Sequence, residues 1–175
     1  IGHIGRFVEQ KNHRFLIDVF NEIYKQNNKS LLLLAGQGPL MDEIKNKVIS
    51  LKLEKNVKFL GQRSDIDKLY QAFDVFLLPS LYEGLPVVGV EAQATGLLCE
   101  LSNDMTQETK VLDTTRFISL NTSAEEWANK ILDDIKKYKR IDSSKEMTDK
   151  NFNIKEEAKR LEECYFNLYN NGGEK

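Results

Sequence analysis

Asp74-Val75-Phe76-Leu77-Leu78-Pro79-Ser80-Leu81-Tyr82-Glu83-Gly84-Leu85-Pro86-Val87-Val88-Gly89-Val90-Glu91-Ala92 is the stretch on which the fold turns. Asp74–Leu78 is an apolar run of strand length. Pro86 suits the first position of a helix, where an N–H would have no intrahelical acceptor, so a helix is predicted over Pro86–Thr95, closed by Gly96. Glu83 then lies in the strand-to-helix loop, and Glu91 about a turn and a half into the helix. Between them Gly84, without a Cβ, lets backbone approach a ligand closely. A helix N-terminus offers free N–H groups and the positive end of a dipole to phosphate. The two carboxylates can accept hydrogen bonds from hydroxyls such as those of a sugar. Phosphate plus polyol is the chemistry of a nucleotide sugar. The spacing alone is weak evidence, since Glu100 and Glu108 stand equally far apart with nothing nearby to suggest a site.

Outward from this stretch the same unit repeats. Strands are predicted at Ile1–Phe7, Ser30–Ala35 (with four consecutive leucines), Val57–Leu60, Leu98–Leu101 and Arg116–Leu120. Helices are predicted from His13 to Gln26 behind an Asn12 cap, from Leu40 to Leu51, and from Ser64 or Asp65 through Ala72. A further helix runs from the Ser123-Ala124-Glu125-Glu126 capping box to Tyr138, and a last one from Ile154 to Tyr169. Trp127, Ile131 and Ile135 share one helical face and read as core. Asp142–Asn151 is polar and reads as loop, and Asn171–Lys175 as a frayed tail. Continuous apolar strands alternating with amphipathic helices predict an α/β fold, a parallel sheet of about six strands covered on both faces. Ligands bind such sheets at the carboxyl ends of the strands, where the strand order reverses. The loops after Phe7, Ala35, Leu60 and Leu78 would share that rim.

Those loops carry the remaining candidates. In Gly5-Arg6-Phe7-Val8-Glu9-Gln10-Lys11-Asn12, the cations of Arg6 and Lys11 can neutralise a diphosphate, one by a fork and one as a point charge. Gly36-Gln37-Gly38-Pro39 lacks the third glycine of a dinucleotide fingerprint and reads as a tight strand-to-helix turn. Gly61-Gln62-Arg63-Ser64-Asp65 stands on the same rim and could meet a nucleobase through backbone groups. His3 and His13 form no metal or triad pattern, and His3 is expected to pack within the first strand. Ser80 lacks the glycines of a nucleophile elbow.

Composition narrows the classes. The 175 residues suffice for one domain with a real core, and 41% are apolar. A net charge of −2 gives no global electrostatic case for nucleic acid. No apolar run approaches the roughly 18–20 residues that span a bilayer, and the N-terminus shows no signal peptide. Cys99 and Cys164 lack metal-ligand spacing, and Cys99 reads as a buried free thiol. A reducing, cytoplasmic setting fits. The basic run Lys136, Lys137, Lys139 and Arg140 reads as a solvated helix end, with contact to the inner face of an anionic membrane as the alternative. A chain that opens without Met, inside a strand, is expected to be a piece of a longer protein.

Taken in order, Gly-Arg-Phe-x-x-x-Lys-Asn, Gly-x-Gly-Pro, Asp-Val-Phe-Leu-Leu-Pro-Ser-x-x-Glu-Gly-Leu-Pro-Val-Val and the Glu83/Glu91 pair resemble the C-terminal domain of a GT-B glycosyltransferase of the large retaining family 4. Closer still, the chain is similar to the capsular and exopolysaccharide-type enzymes of bacteria. The resemblance implies a Rossmann-like three-layer α/β/α domain, one half of a GT-B fold. Residues 1–151 would bind the nucleotide-sugar donor, residues 152–175 would form a C-terminal helix and tail packing on or near that domain, and an N-terminal acceptor domain would be absent from this chain. It implies that Arg6 and Lys11 bind the donor diphosphate and Glu83 the sugar hydroxyls. The backbone of Gly84 and Leu85 would face sugar and phosphate, Glu91 would hold the ribose, and Gln62 and Arg63 would sit at the base. The catalytic set would be Glu83, Arg6 and Lys11. No cofactor or catalytic metal is implied. The donor would be a UDP- or GDP-sugar, and a glycan or lipid-linked acceptor would enter through the absent domain. The isolated domain would be inactive. Leu97–Leu101 and Thr114–Phe117 depart from the family's usual sequence after Gly96. Two other readings remain open: a GT-B-type nucleotide-sugar epimerase or hydrolase, and a non-catalytic nucleotide-binding module.

Overall fold

Strands and helices alternate along the chain in a computed structural model that describes residues 1–171. The order is β1 (Gly2–Ile4), α1 (His13–Gln26), β2 (Leu32–Ala35), α2 (Met41–Ser50), β3 (Val57–Gly61), α3 (Ile66–Ala72), β4 (Val75–Leu78) and α4 (Val87–Ala94). Then come β5 (Leu98–Ser102), β6 (Thr115–Ile118), α5 (Ala124–Lys137), α6 (Ser144–Asp149) and α7 (Ile154–Asn171). The strands form one sheet in the order β3-β2-β1-β4-β5-β6, and every neighbouring pair is parallel. The order reverses between β1 and β4, which places the crevice of a doubly wound sheet there. β1 and β4 register only at Gly2↔Phe76, so they part toward their carboxyl ends.

Strand periodicity explains the two cores. In β4, Val75 and Leu77 point into a cluster with Leu16 and Phe20 of α1, Ile44 of α2 and Trp127 of α5. Phe76 and Leu78 point the other way, onto Tyr70 of α3 and Ala92 of α4. Both faces being covered is why these strands read as unbroken apolar runs. The capping box forms as expected: Ser123 Oγ accepts from the Glu126 amide, and the Glu126 carboxylate accepts from the Ser123 amide. Trp127 and Ile131 are buried, and the indole N–H donates to Ser119 O at 2.9 Å. Cys99 is a buried free thiol, as expected.

Several local expectations are corrected. Asn12 precedes α1 but sits in the left-handed region (φ 53°, ψ 44°) and its side chain caps nothing, because a short 3-10 turn, Glu9–Lys11, leads directly into the helix. Pro86 is extended, the residue before α4 rather than its first. Asp142–Asn151 is not loop: it contains α6, whose start is organised by Asp142 Oδ1 accepting from the Ser144 amide and hydroxyl. Met147 anchors α6 in a small cluster with Val111 and Leu112, a lone apolar residue that a polar stretch conceals. The basic run is exposed as expected, but Arg140 within it is also held by the protein. Its guanidinium donates to the carbonyls of Tyr70 (3.0 Å), Phe73 (2.6 Å) and Gln71 (3.3 Å) at the C-terminal end of α3, where a cation also suits the helix dipole. The final helix continues to Asn171, and the rest of the expected tail, residues 172–175, lies outside the described residues.

Glu100 is buried in β5, between Leu77 and Arg116, and neither carboxylate oxygen finds a hydrogen-bond partner among the described residues. Burial, with the charge of Asp134 adding to it, pushes the Glu100 carboxyl up to about 8. Between its ordinary value of 4.5 and about 8 the folded chain holds a proton that the unfolded chain has lost. Stability from this group is therefore present below 4.5 and falls as pH rises through that window. Glu100→Gln should gain on the parent by roughly 3–6 °C in Tm from the acid to the alkaline side of this range. A Tm difference that does not change with pH in thermal melts would contradict it.

Candidate active site at the strand-order reversal

Three loops on the carboxyl rim are joined through their backbones. Gly5 N donates to Ala35 O (3.0 Å), Phe7 N to Gln37 O (3.0 Å), Leu40 N to Phe7 O (3.1 Å) and Gly36 N to Gly61 O (2.8 Å). The glycines of Gly36-Gln37-Gly38-Pro39 make this possible. A Cβ on Gly36 would lie 2.0 Å from Gly5 O, and one on Gly38 2.4 Å from Phe7 O. The segment is therefore more than a turn, because it lets two loops pack backbone to backbone. Arg6, Gly36, Gln37, Gly38, Pro39 and Gln62 line a cavity of 590 Å³ beside them. Arg6 is exposed. Arg63 does not line this cavity; it forms a fork onto Asp65, with contacts of 2.8 and 2.7 Å.

A second group forms where the loops after β1 and β4 meet. Leu81 N donates to Gln10 O at 2.8 Å, and Gln10 Nε2 returns to Tyr82 O at 3.0 Å. The Glu83 carboxylate accepts from Lys11 Nζ at 2.5 Å on one oxygen and from Gln10 Nε2 at 3.2 Å on the other. Side-chain exposure is only 15% for Lys11 and 10% for Glu83. The structure thus brings Lys11 to Glu83, while Arg6 lies with Gln62. Gly84 is exposed, and a Cβ there would meet nothing within 4 Å, so its backbone faces open space. Leu85 is 50% exposed beside it.

Glu91 lies on α4, exposed, with Oε2 3.0 Å from the Tyr70 hydroxyl. That hydroxyl is equally close to Val88 O, and its single proton serves one acceptor at a time. Burial raises the Tyr70 phenol well above its ordinary value and the Glu91 charge adds to this, so it remains a donor. Among the described residues, none hydrogen-bonds the second Glu91 oxygen.

The structure also adds residues that sequence reasoning passed over. Gln93 is fully buried on α4 and uses both ends of its amide. Nε2 donates to Gly89 O (2.9 Å) and Thr109 O (2.8 Å), and Oε1 accepts from the amides of Val111 and Leu112 (each 2.9 Å). It clamps α4 to the segment after β5, whose Met105 bridges to Glu83. A glutamine one turn after Gly89, on a helix that is apolar but for it and Glu91, was the available signal. His3 is buried within β1 as expected, and its ring lies 4.6 Å from that of His13, a pairing the sequence did not suggest. Among the described residues, no group of three or more His, Cys, Asp or Glu could hold a metal ion. No described helix is long and apolar enough to cross a membrane.

The model of the family described as glycosyl transferases group 1 matches residues 1–153. The chain is 43% identical over 132 residues to the putative glycosyltransferase EpsF of Bacillus subtilis, covering 75% of this chain and 34% of that protein. It is 40% identical over 103 residues to the Escherichia coli UDP-Gal:alpha-D-GlcNAc-diphosphoundecaprenol alpha-1,3-galactosyltransferase, covering 57% and 27%. The chain thus spans only 34% and 27% of the length of these two curated relatives. The crystal structure of Anabaena Alr3699/HepE in complex with UDP and glucose superposes with a TM-score of 0.67 and 25% identity, over 77% of this chain and 38% of that one.

Proposed function

Because this chain belongs to the glycosyl transferases group 1, we propose that it is the donor-binding half of a retaining glycosyltransferase that moves a sugar from a nucleoside diphosphate to a glycan or lipid-linked acceptor in polysaccharide synthesis. The observation that carries this reading is the meeting of the β1 and β4 loops at the strand-order reversal, with Lys11 on Glu83 and the start of α4 beside them. Residues 1–151 are the donor domain and residues 152–175 an appended helix and tail. Arg6, Lys11 and the α4 N-terminus take the diphosphate. Gln62 and Arg63 take the base, Glu91 the ribose, and Glu83 with the backbone of Gly84 and Leu85 the sugar. As the glycosidic bond breaks, the leaving diphosphate gains negative charge, which fixed cations and helix amides stabilise without reorganising. The E. coli relative's name specifies a UDP-sugar donor and a diphosphoundecaprenol-linked acceptor, and the Anabaena protein holds UDP and glucose. Both support a nucleotide-sugar donor here, and the E. coli relative's name supports a lipid-linked acceptor. The acceptor site and the opposite wall of the cleft belong to a further domain, so the 175 residues alone transfer nothing.

Calorimetric titration with UDP, GDP and their sugars tests the reading. Binding of one nucleoside diphosphate, strengthened or made selective by its sugar, is the expected result. A folded chain that binds none of them would make it a non-catalytic module. Transfer by these 175 residues alone would refute the half-site assignment.

A further inference from the structure

Beneath the Lys11–Glu83 pair lie His3 of β1 and His13 of α1, both buried. Their rings meet edge to face, 4.6 Å between centroids at 81°, and His13 stacks on Phe7 at 4.1 Å. His3 Nδ1 stands 2.8 Å from Leu77 O of β4. A carbonyl only accepts, so Nδ1 carries the ring proton and Nε2 the lone pair. Burial, with the charge of Lys11 adding to it, lowers His3 to about 4, and burial, with His3 and Lys11 close by, lowers His13 to about 2, so both rings are neutral near neutral pH. His3 Nε2 and both His13 nitrogens are buried without a hydrogen-bond partner among the described residues. Two phenylalanines would fill this volume without that desolvation cost, so the imidazoles call for a reason.

The direction of Nε2 supplies one. A Cβ built on Gly5 would lie 2.9 Å from His3 Nε2, 3.4 Å from Lys11 Cδ and 3.5 Å from Lys11 Cε. The imidazole edge and the lysine stem therefore border the same small space on the flank of Gly5. A phenyl edge is electropositive and would repel the charged end of that stem, whereas the bare Nε2 edge is negative. Leu77 O sets the angle of the ring from across the crevice, where β1 and β4 share only one registered pair.

We propose that His3, locked by Leu77 O and buttressed by His13, is a positioning residue that together with Gly5 seats the Lys11 stem and so sets where its ammonium meets the donor diphosphate. The proposal rests on Lys11 being a diphosphate ligand. The test compares UDP with UMP, or GDP with GMP, whichever diphosphate the chain binds, by calorimetry. Lys11→Ala should weaken the diphosphate and spare the monophosphate; an unchanged diphosphate Kd would remove that reading and the proposal with it. His3→Phe should raise the diphosphate Kd at least about fivefold and move the monophosphate Kd less than about twofold. Should His3→Phe not fold, Gly5→Ala decides by the same criterion, since it crowds His3 and Lys11 and removes no buried hydrogen bond. If Lys11→Ala is selective but the deciding variant keeps its diphosphate Kd, or loses both nucleotides equally, the seat is overturned while the donor site stands.

Discussion

Gly36→Ala is expected to lower the unfolding free energy by about 2–4 kcal/mol, read as a shift in urea midpoint. Gly36 has φ 137°, a region closed to residues with a Cβ, and the added methyl would stand 2.0 Å from the Gly5 carbonyl oxygen and 2.9 Å from its carbon. Backbone cannot rotate aside as a side chain can. Relief requires parting the loops after β1 and β2, and with them Gly36 N→Gly61 O and Gly5 N→Ala35 O. Gly84→Ala is the control: its Cβ meets nothing within 4 Å, so stability should change by less than about 0.5 kcal/mol. Equal midpoints for the two variants would show that the rim does not depend on this close approach. Because Gly36 lines the cavity with Arg6 and Gln62, residual folded Gly36→Ala should also bind nucleotide less tightly.

Glu91→Ala should raise the Kd for a free nucleoside diphosphate by about 10- to 100-fold, the worth of a charged hydrogen bond to ribose hydroxyls. Its effect on stability should be small. Glu91 is exposed, and the Tyr70 hydroxyl it leaves still has Val88 O at 3.0 Å. Glu83→Ala should behave differently. It strips Lys11 of its counter-charge without removing a nucleotide contact, so free diphosphate should bind as well as before while selectivity among nucleotide sugars is lost. Losses of equal size on free nucleotide from the two variants, with both folded, would contradict the separate roles assigned to the two acids.

Much of this fold was legible in the residues. Runs such as Val75–Leu78 have strand length, and the alternation of strands with helices implied a covered parallel sheet, which the β3-β2-β1-β4-β5-β6 order realises. The family resemblance, read from ordered blocks, agrees with the match over residues 1–153. Misreadings fall where a contact distant in sequence overrides local composition. Arg140 belongs by composition to an exposed basic run, yet it also binds the carbonyls at the end of α3. Residues 142–151 are polar, yet Met147 draws them into a helix against Val111 and Leu112.

The sequence by itself determined the succession of elements apart from α6, the two-sided burial of the sheet and the set of rim loops. Each of these depends on periodicity and turn chemistry within a few neighbouring residues. Only the tertiary structure decided the pairings within that rim. Lys11 and Glu83 are 72 residues apart, and His3 and Leu77 are 74 apart. Arg6 lies with Gln62 rather than with Lys11, and Gln93 ties α4 to the segment that bridges to Glu83. Partners so distant in the chain leave no periodic trace. The Lys11–Glu83 and His3–Leu77 pairs meet because β1 and β4 are neighbours at the one place where the strand order reverses.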